Sequence, residues 1–461
     1  MIRLLEKSVN AIEDLVAHIG RYMIGKDLAS YCELTTALPL SDDDVRRNPE
    51  LKDPYIVVTD SNGLATAFDL QGTFQLTSSE DFKAMVDNLR VKMNGYMARH
   101  GHSLSLCFES DPDRALDELM RLAEPMLNTA RRIGLKSEDI LLDRVRRNAP
   151  LVQFEQNLLV VYTHMNVMGD EERKRELKER NDRAARHRLP AMLYGQNPAA
   201  ALLAMKFRHD TMIARVKADF ELCGRDGAPG IMLRPISAHD AIRRIRIMVN
   251  RERTSQTFRP VLPGDRFIPR GREDEKDFSD LSAPLIGYQV CTNSVQLEGE
   301  MVRTDDLWHG NLSMELGPQE PQPFAELFRN VDRRMPWRIK FDINPGGLTE
   351  TRGRQMLLAF AGLFPANKMI RQSFIDLIER SKRDAICSMK VTASTWGQTE
   401  LEAKHRLSSL EKALQAWGTC QIIDVHGDPV AAWASTLPAF STKNIANRLL
   451  PPLDEALYML P

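Results

Sequence analysis

Short apolar or alternating runs are separated by amphipathic stretches along this chain, a pattern typical of proteins that mix strands and helices. The first half carries predicted strands at 55–60, 64–70, 73–76, 103–108 and 158–163, and predicted helices at 78–99, from 111 onward and at 137–148. Asn62-Gly63 favours a tight turn between the first two strands, because both residues tolerate positive φ. We therefore expect an N-terminal helical segment at 1–50 and an α+β domain at 51–168.

Residues 169–188 are almost entirely charged, with acidic and basic side chains at helical spacing. This stretch predicts a solvated helical arm. A second helical pattern covers 199–223, and Pro190 and Pro198 separate the two. Since two helices joined by a short connection often lie antiparallel, residues 169–253 are expected to form a helical arm or hairpin.

The second half returns to a mixture of strands and helices after a break. Residues 254–283 contain three prolines, two glycines and a run of charges, which is typical of a linker or a long loop. Beyond it we predict strands at 285–291, 312–316, 337–343, 387–395 and 419–424, and helices at 349–364, 367–381, 400–417 and from 429. The prediction is an α+β fold with two mixed α/β domains, at 51–168 and 284–461, and a helical hairpin between them.

Composition narrows the class of protein without identifying an activity. The 461 residues are 43% hydrophobic and 27% charged, which is typical of folded proteins. Lys and Arg total 62 and Asp and Glu total 63, so a global attraction to nucleic acid is not expected. No apolar run is long enough to span a bilayer, and acidic residues in the first helix argue against a signal peptide. Six singly placed cysteines favour a reducing cytoplasm over disulfides or a zinc site.

The sequence carries no motif for catalysis or for cofactor binding. A phosphate-binding loop of the form G-x-x-x-x-G-K-[ST] is absent, and the nearest approach, residues 344–347, lacks the Gly-Lys pair. That tetrapeptide predicts a turn and a helix cap instead. His100 and His102 have no cysteine or HxxxH pattern nearby, which favours a helix stop over a metal site. We therefore predict no catalytic, cofactor-binding or metal-ligating residue in this chain.

A basic amphipathic helix at 237–253 is the one candidate binding element. Its apolar positions are surrounded by arginines, namely Arg243, Arg244, Arg246, Arg251 and Arg253. Three interpretations remain open. The helix lies solvated on its own core, or it contacts anionic lipid or an acidic partner protein, or it follows nucleic-acid phosphates. Under the second interpretation these five arginines are the partner-binding residues.

Two stretches of the chain carry a family resemblance. The first runs from the Asn-Gly turn through a helix to the sequence GHSLSLCFESDP at 101–112 and a long helix after it. The second runs from the predicted helix at 400–417 through Pro429, Trp433 and Leu437-Pro438 into residues 450–461. Taken in order, these pieces resemble the N-terminal region of type IV secretion and conjugation motor ATPases. Within that family, the IcmB/DotO and TraU proteins of type IVB systems are the most similar.

This resemblance implies a non-catalytic scaffold or docking region that is cytoplasmic and peripheral to the bacterial inner membrane. It implies homo-oligomerisation, commonly as a hexamer, and docking to inner-membrane channel subunits and to a second secretion ATPase. ATP and Mg²⁺ are then expected to bind a core domain beyond Pro461 and not this segment. Two alternatives stay open: a nucleic-acid-binding module that uses the basic helix, and a free-standing cytoplasmic enzyme. Nucleic acid is the less expected partner.

Overall fold

A computed structural model describes most of the chain. The described residues are 28–47, 52–74, 76–98, 100–186, 195–251, 258–265, 283–292, 295–298, 300–318, 320–346, 379–380, 384–424, 428–441 and 443–461. The helix predicted at 349–364 lies outside them, as do nearly all of the helix predicted at 367–381, most of the predicted linker at 254–283 and the chain before residue 28.

The described strands join in one twelve-stranded sheet, and every pairing between them is antiparallel. The strands are β1 (Leu34–Ala37), β2 (Val57–Thr59), β3 (Leu64–Gly72), β4 (His102–Asp111), β5 (Phe154–Thr163), β6 (Met232–Pro235), β7 (Gln296–Glu298), β8 (Met301–Thr304), β9 (Leu307–Leu316), β10 (Trp337–Asn344), β11 (Ser388–Gly397) and β12 (Gln421–Asp424). Their order in space is β1-β2-β3-β5-β4-β10-β11-β9-β8-β7, with β6 paired to β3 and β12 paired to β9.

Most of the described α-helices pack against one face or the other of this sheet. The described α-helices are α1 (Asp42–Arg47), α2 (Ser79–Met97), α3 (Ala115–Arg132), α4 (Glu138–Asn148), α5 (Asp170–Arg186), α6 (Leu203–Glu221), α7 (Ala238–Val249), α8 (Ile286–Val290), α9 (Phe324–Asn330), α10 (Glu400–Ala416), α11 (Pro429–Ser435) and α12 (Leu453–Tyr458). The larger apolar core lies between one face and α2, α6, α9, α10 and α12. A second core lies between the other face and α7, α8 and α11. Helices α3 and α4 pack mainly on each other and cover neither face. The predicted α+β class is confirmed.

The centre of the sheet is the pairing of β4 with β10, which joins the two halves of the chain. Ile339 lies opposite Phe108, and Phe341 lies opposite Leu106. The two predicted domains, at 51–168 and 284–461, therefore share one continuous sheet. Each half of the chain contributes a contiguous block of strands, β1 to β6 and β7 to β12. Strands and helices alternate along each half, as predicted, but the strands of both halves lie in one sheet.

Strand β10 explains how one sheet can have two differently composed faces. Successive side chains of a strand point to opposite faces, so alternate residues form separate sets. Trp337, Ile339 and Phe341 belong to the larger apolar core. Arg338, Lys340 and Asp342 lie on the other face, where they are equally buried. The sequence pattern at 337–343 thus encodes an apolar face and a buried polar face.

Local chemistry sets several element ends. The Ser78 hydroxyl accepts a hydrogen bond from the Asp81 amide and begins α2, as expected of an N-cap serine. Thr399 caps α10 in the same way through the Glu402 amide. At the end of β3, Gly72 has φ of 78°, a conformation that glycine adopts without steric cost.

Two local predictions were wrong and a third was incomplete. No strand forms at the described residues of 73–76, because Gly72 turns the chain away from the sheet. Residues 285–291 were expected to be a strand but contain helix α8. A short apolar run does not distinguish a strand from a buried helix by its periodicity. In the segment predicted to be helical at 1–50, the described residues also include strand β1.

The predicted pair of helices at 169–253 is present as α5 and α6. Glu172 Oε1 lies 2.9 Å from Arg208 Nη1, and Glu176 Oε2 accepts from the Ala204 amide at 3.2 Å. A later residue of α5 thus contacts an earlier residue of α6, so the two helices are antiparallel where they meet. Most of α6 then packs on the sheet through Met212, Val216 and Phe220, so it belongs to the core layer. Helix α5, where the solvated arm was predicted, is mostly exposed.

Candidate functional site

The basic helix α7 does not present its arginines as one open patch. Arg244 contacts Asp69 at 3.0 Å and Asp240 at 3.1 Å. Arg246 donates to the Gln289 carbonyl, and its guanidinium lies 4.1 Å from the centre of the Phe258 ring. These contacts fasten the helix to the sheet, to helix α8 and to the loop at Phe258, which favours the interpretation of a helix on its own core.

Arg251, just after α7, also forms an ion pair within the molecule. Its Nη1 atom lies 2.6 Å from Asp111 Oδ2 at the end of β4. Burial raises the pKa of the Asp111 carboxyl to about 6, and the neighbouring Arg251 acts in the opposite direction. Arg243 is partly exposed, and Arg253 lies outside the described residues. The five predicted partner-binding arginines therefore do not converge on one site in the described structure.

A different group of charged side chains lies beneath the second core. We call Arg338, Lys340 and Asp342 of β10 the polar seat; they are 1%, 0% and 3% exposed. Arg338 Nη1 lies 3.1 Å from Glu109 Oε2, and Lys340 Nζ lies 3.1 Å from Asp342 Oδ2. Buried charges are costly unless they are paired and hydrogen-bonded, so this row of pairs requires good geometry.

The polar seat holds the segment at 428–446, which we call the clasped segment. Lys340 Nζ donates to the Ser435 carbonyl at 3.3 Å, and Arg338 Nη2 donates to Thr436 Oγ1 at 3.3 Å. The two carboxylate oxygens of Asp342 hold the end of the segment, accepting from Ser441 Oγ at 2.8 Å and from Asn444 Nδ2 at 2.7 Å. The seat and the segment thus form one hydrogen-bonded unit.

The clasped segment also reaches the first half of the chain. Tyr31 donates from its hydroxyl to Asp428 at 2.6 Å, and the Ser441 amide donates to Glu33 Oε1 at 3.4 Å. Glu33 in turn accepts from the Tyr162 hydroxyl at 2.6 Å. Since Thr392 of β11 also donates to the Ser435 carbonyl, the segment ties β10 and β11 to β5 and to the residues just before β1.

A small cavity adjoins one end of the seat. It has a volume of about 20 Å³ and is lined by Arg338, Asp111, His309 and Trp396 among others, enough room for about one water molecule. Burial, followed by the nearby Arg338, lowers the pKa of His309 to about 3. The ring is therefore neutral at pH 7.

The helices α3 and α4 form a second candidate site, because they project from the sheet. We call Ala115–Asn148 the helical pair. Its main contacts within the described structure are between its own two helices and with the short turns at their ends. Ala123, Leu127 and Val145 form a small core between them. Leu119, Leu141 and Leu142 pack against this core. Seven other apolar side chains are exposed: Leu116, Met120, Leu122, Met126, Ile133, Leu135 and Ile140.

Neither site was predicted from the sequence, although each has a recognisable pattern in it. The seat appears in the sequence as Trp-Arg-Ile-Lys-Phe-Asp-Ile at 337–343, which is also the pattern of a strand with one solvated face. The helical pair appears as two predicted helices. In α3, apolar positions extend beyond the face that one partner helix covers, which was the available sign of an exposed surface.

Among the residues that the structure describes, no helix is both long enough and apolar enough to cross a bilayer. Within the same residues no cluster of His, Cys, Asp or Glu side chains is placed to hold a metal ion. No protein-family model matches the chain, and a search of curated proteins found no match to it.

Proposed function

We propose that this chain is the non-catalytic N-terminal scaffold or docking region of a type IV secretion or conjugation ATPase, of the type IVB kind. The observation that carries the proposal is the clasped segment. In the resemblance to secretion ATPases, this part of the sequence leads toward the motor core. Here it is fixed by buried side chains to the central strand of the sheet.

Such a clasp is suited to passing movement from one part of a protein to another. The segment is held at Ser435, Thr436, Ser441 and Asn444 by one rigid strand. Buried hydrogen bonds to charged groups are each worth about 1.5–3 kcal/mol. A displacement of the chain that continues from the segment would therefore move the sheet with it instead of stretching a loose connection.

The same assignment gives the region its location and its partners. The region is cytoplasmic and peripheral to the bacterial inner membrane, and it docks to inner-membrane channel subunits and to a second secretion ATPase. It takes part in a homo-oligomer, commonly hexameric. ATP and Mg²⁺ bind the motor core and not this segment. The alternative nucleic-acid-binding function has less support, because Arg244, Arg246 and Arg251 are engaged within the molecule.

The first test is the natural gene. We expect the reading frame to continue beyond codon 461 into a G-x-x-x-x-G-K-[ST] motif and the encoded protein to hydrolyse ATP. A stop codon at that position would remove the motor assignment.

The second test separates coupling from hydrolysis in the protein made from that gene. The double variant S441A/N444A removes two donors to Asp342 and leaves the Lys340–Asp342 pair in place. We expect ATP hydrolysis to persist while substrate transfer between cells falls. The matched control is S78A/T399A, which removes two helix caps outside the clasped segment. Equal transfer by both variants would contradict a coupling role for the clasp.

A further inference from the structure

The outer end of the helical pair combines exposed aliphatic side chains with basic ones. We call residues 131–140 the hairpin tip. Ile133, Leu135 and Ile140 are 65%, 57% and 72% exposed there. Arg131 is bonded to Glu138, whereas Arg132 and Lys136 form no ion pair with any residue that the structure describes. The tip thus exposes aliphatic side chains next to these two basic ones.

Charge is distributed unevenly along the helical pair. The outer part, residues 128–140, contains three basic and two acidic residues, whereas residues 115–127 and 141–148, which lie nearer the sheet, contain four basic and four acidic residues. The outer end therefore carries a net positive charge, and the part near the sheet carries no net charge. An anionic surface would attract the outer end more strongly than the rest of the helical pair.

Shape distinguishes a lipid surface from a protein groove as the occupant. The exposed aliphatic side chains lie at a helix end, on the connecting turn and on the outer side of α4, so they form a projecting knob and not a concavity. None of the three is aromatic, although aromatic anchors are enriched in protein interfaces. Basic residues beside aliphatic ones are the combination that binds at a bilayer interface.

We propose that the hairpin tip inserts Ile133, Leu135 and Ile140 into the interface of an anionic lipid bilayer, with Arg132 and Lys136 at the lipid phosphates. The inference extends the proposed docking function, on which it rests, by naming the surface that faces the membrane. Insertion reaches only the headgroup boundary, as expected for an interfacial element. If the chain did not bind vesicles, only the lipid proposal would fail. The proposed docking function would still be decided by the gene and transfer tests.

The test uses the 461-residue chain and two kinds of vesicle, one of phosphatidylethanolamine with phosphatidylglycerol and one of phosphatidylcholine alone. We expect co-sedimentation with the anionic vesicles and binding at least about tenfold weaker to the neutral ones. The variant I133D/L135D should weaken binding to anionic vesicles by about tenfold or more. The control L222D/L401D changes two leucines of similar exposure elsewhere, at 68% and 67%, and should bind like the parent.

A fluorescent label provides a measurement that does not depend on the stability of the aspartate variants. All six native cysteines are buried, so a thiol-reactive, polarity-sensitive probe should label Leu135→Cys selectively. Its emission should shift to the blue with anionic vesicles, whereas a probe at Leu401→Cys should not respond. An unshifted tip probe, or equal binding by I133D/L135D and the parent, would overturn the proposal. A change of oligomeric state in I133D/L135D without lipid binding would assign the tip to self-association and overturn it too.

Discussion

Lys340 and Asp342 form an ion pair that is almost entirely removed from solvent. Replacing Lys340 with methionine keeps the volume of the side chain but leaves the carboxylate of Asp342 buried without a cation. We expect the free energy of unfolding to fall by about 3–5 kcal/mol, as is usual when one partner of a buried pair is removed. Urea denaturation of the parent and of Lys340→Met measures this difference.

A matched control tests whether burial causes the effect. Arg147 pairs with Asp143 at 2.8 Å on the surface, where the side chains are 78% and 56% exposed. Exposed pairs contribute about 0–1 kcal/mol, so Arg147→Met should change stability little. The double variant K340M/D342N should recover part of the loss, because no unpaired charge then remains and the amide oxygen can still accept a hydrogen bond from the clasped segment. Equal effects of Lys340→Met and Arg147→Met would refute the importance assigned to the seat.

Buried histidines make a second prediction at the residue scale. His209 is fully buried between Thr163 and Thr66, whose hydroxyls lie 2.8 Å and 3.0 Å from its two ring nitrogens. Burial, with a smaller effect of His102, lowers the pKa of His209 to about 3. The pKa of His102 itself is lowered to about 4, again mainly by burial.

The direction of the pH dependence is set by these pKa values. An unfolded histidine titrates near pH 6.5, so between about pH 6.5 and pH 3 the unfolded chain binds more protons than the folded one. The contribution of these neutral histidines to the free energy of unfolding is fully present above this window and is lost as the pH falls through it. At pH 5 the loss should be about 2 kcal/mol for each such histidine. The variant His209→Gln should be less stable than the parent near neutral pH, and its free energy of unfolding should fall less on acidification. If its stability depended on pH as steeply as that of the parent, the assignment would be contradicted.

At the scale of elements, the helical pair should behave as a local unit. Leu127 belongs to a small core shared only with neighbours inside the pair in the described structure, including Ala123 and Val145. Such regions open at a lower free energy than the central strands. We expect Leu127→Ala to speed amide hydrogen exchange throughout Ala115–Asn148 while β10 keeps its protection. Exchange followed by mass spectrometry tests this.

The comparison variant for the helical pair is Ile339→Ala. Ile339 is fully buried in the larger core, so its truncation should cost about 2–5 kcal/mol and lower protection in every element. If Leu127→Ala also lowered protection across the sheet, the helical pair would be an integral part of the core. Its tip would then be a weaker candidate for independent docking.

These same elements show where sequence patterns are sufficient. The capped helices α2 and α10 and the turn at Asn62-Gly63 could be predicted because their signals are local. Helix α8 could not, since its five residues are too short to show a period. The basic helix α7 was found, but the partners of its arginines, such as Asp69 and Asp111, are distant in sequence.

The candidate site was harder to predict than the fold, because it depends on pairing between distant segments. Arg338 meets Glu109 only when β10 lies beside β4, and Asp342 meets Asn444 only when the chain returns across the sheet. Neither contact leaves a local pattern. An alternating strand has the same sequence signature whether water or a polar segment covers its second face.

At the scale of the whole molecule, the sheet consists of two blocks of strands that meet at β4 and β10. The two blocks also contact each other away from that junction. The clasped segment lies in the second core together with Cys107, Leu158 and Val160 of the first block. Helix α12 lies against α2, where the Phe82 and Tyr458 ring centres are 5.4 Å apart. The halves are thus interlocked on both faces of the sheet.

This interlocking predicts that the two halves fold together and not separately. Residues 1–270, expressed alone, would leave the β4 edge with Leu104, Leu106 and Phe108 uncovered, and exposed apolar edges promote aggregation. We expect each of the fragments 1–270 and 271–461 to be insoluble or poorly folded alone, and the two to associate when co-expressed. Cooperative unfolding of each isolated fragment would instead support two domains that merely abut. The clasped segment belongs to fragment 271–461 but accepts a hydrogen bond at Asp428 from the Tyr31 hydroxyl of the other fragment. The variant Tyr31→Phe, which removes that bond, should therefore weaken the reassembled complex more than S78A/T399A does.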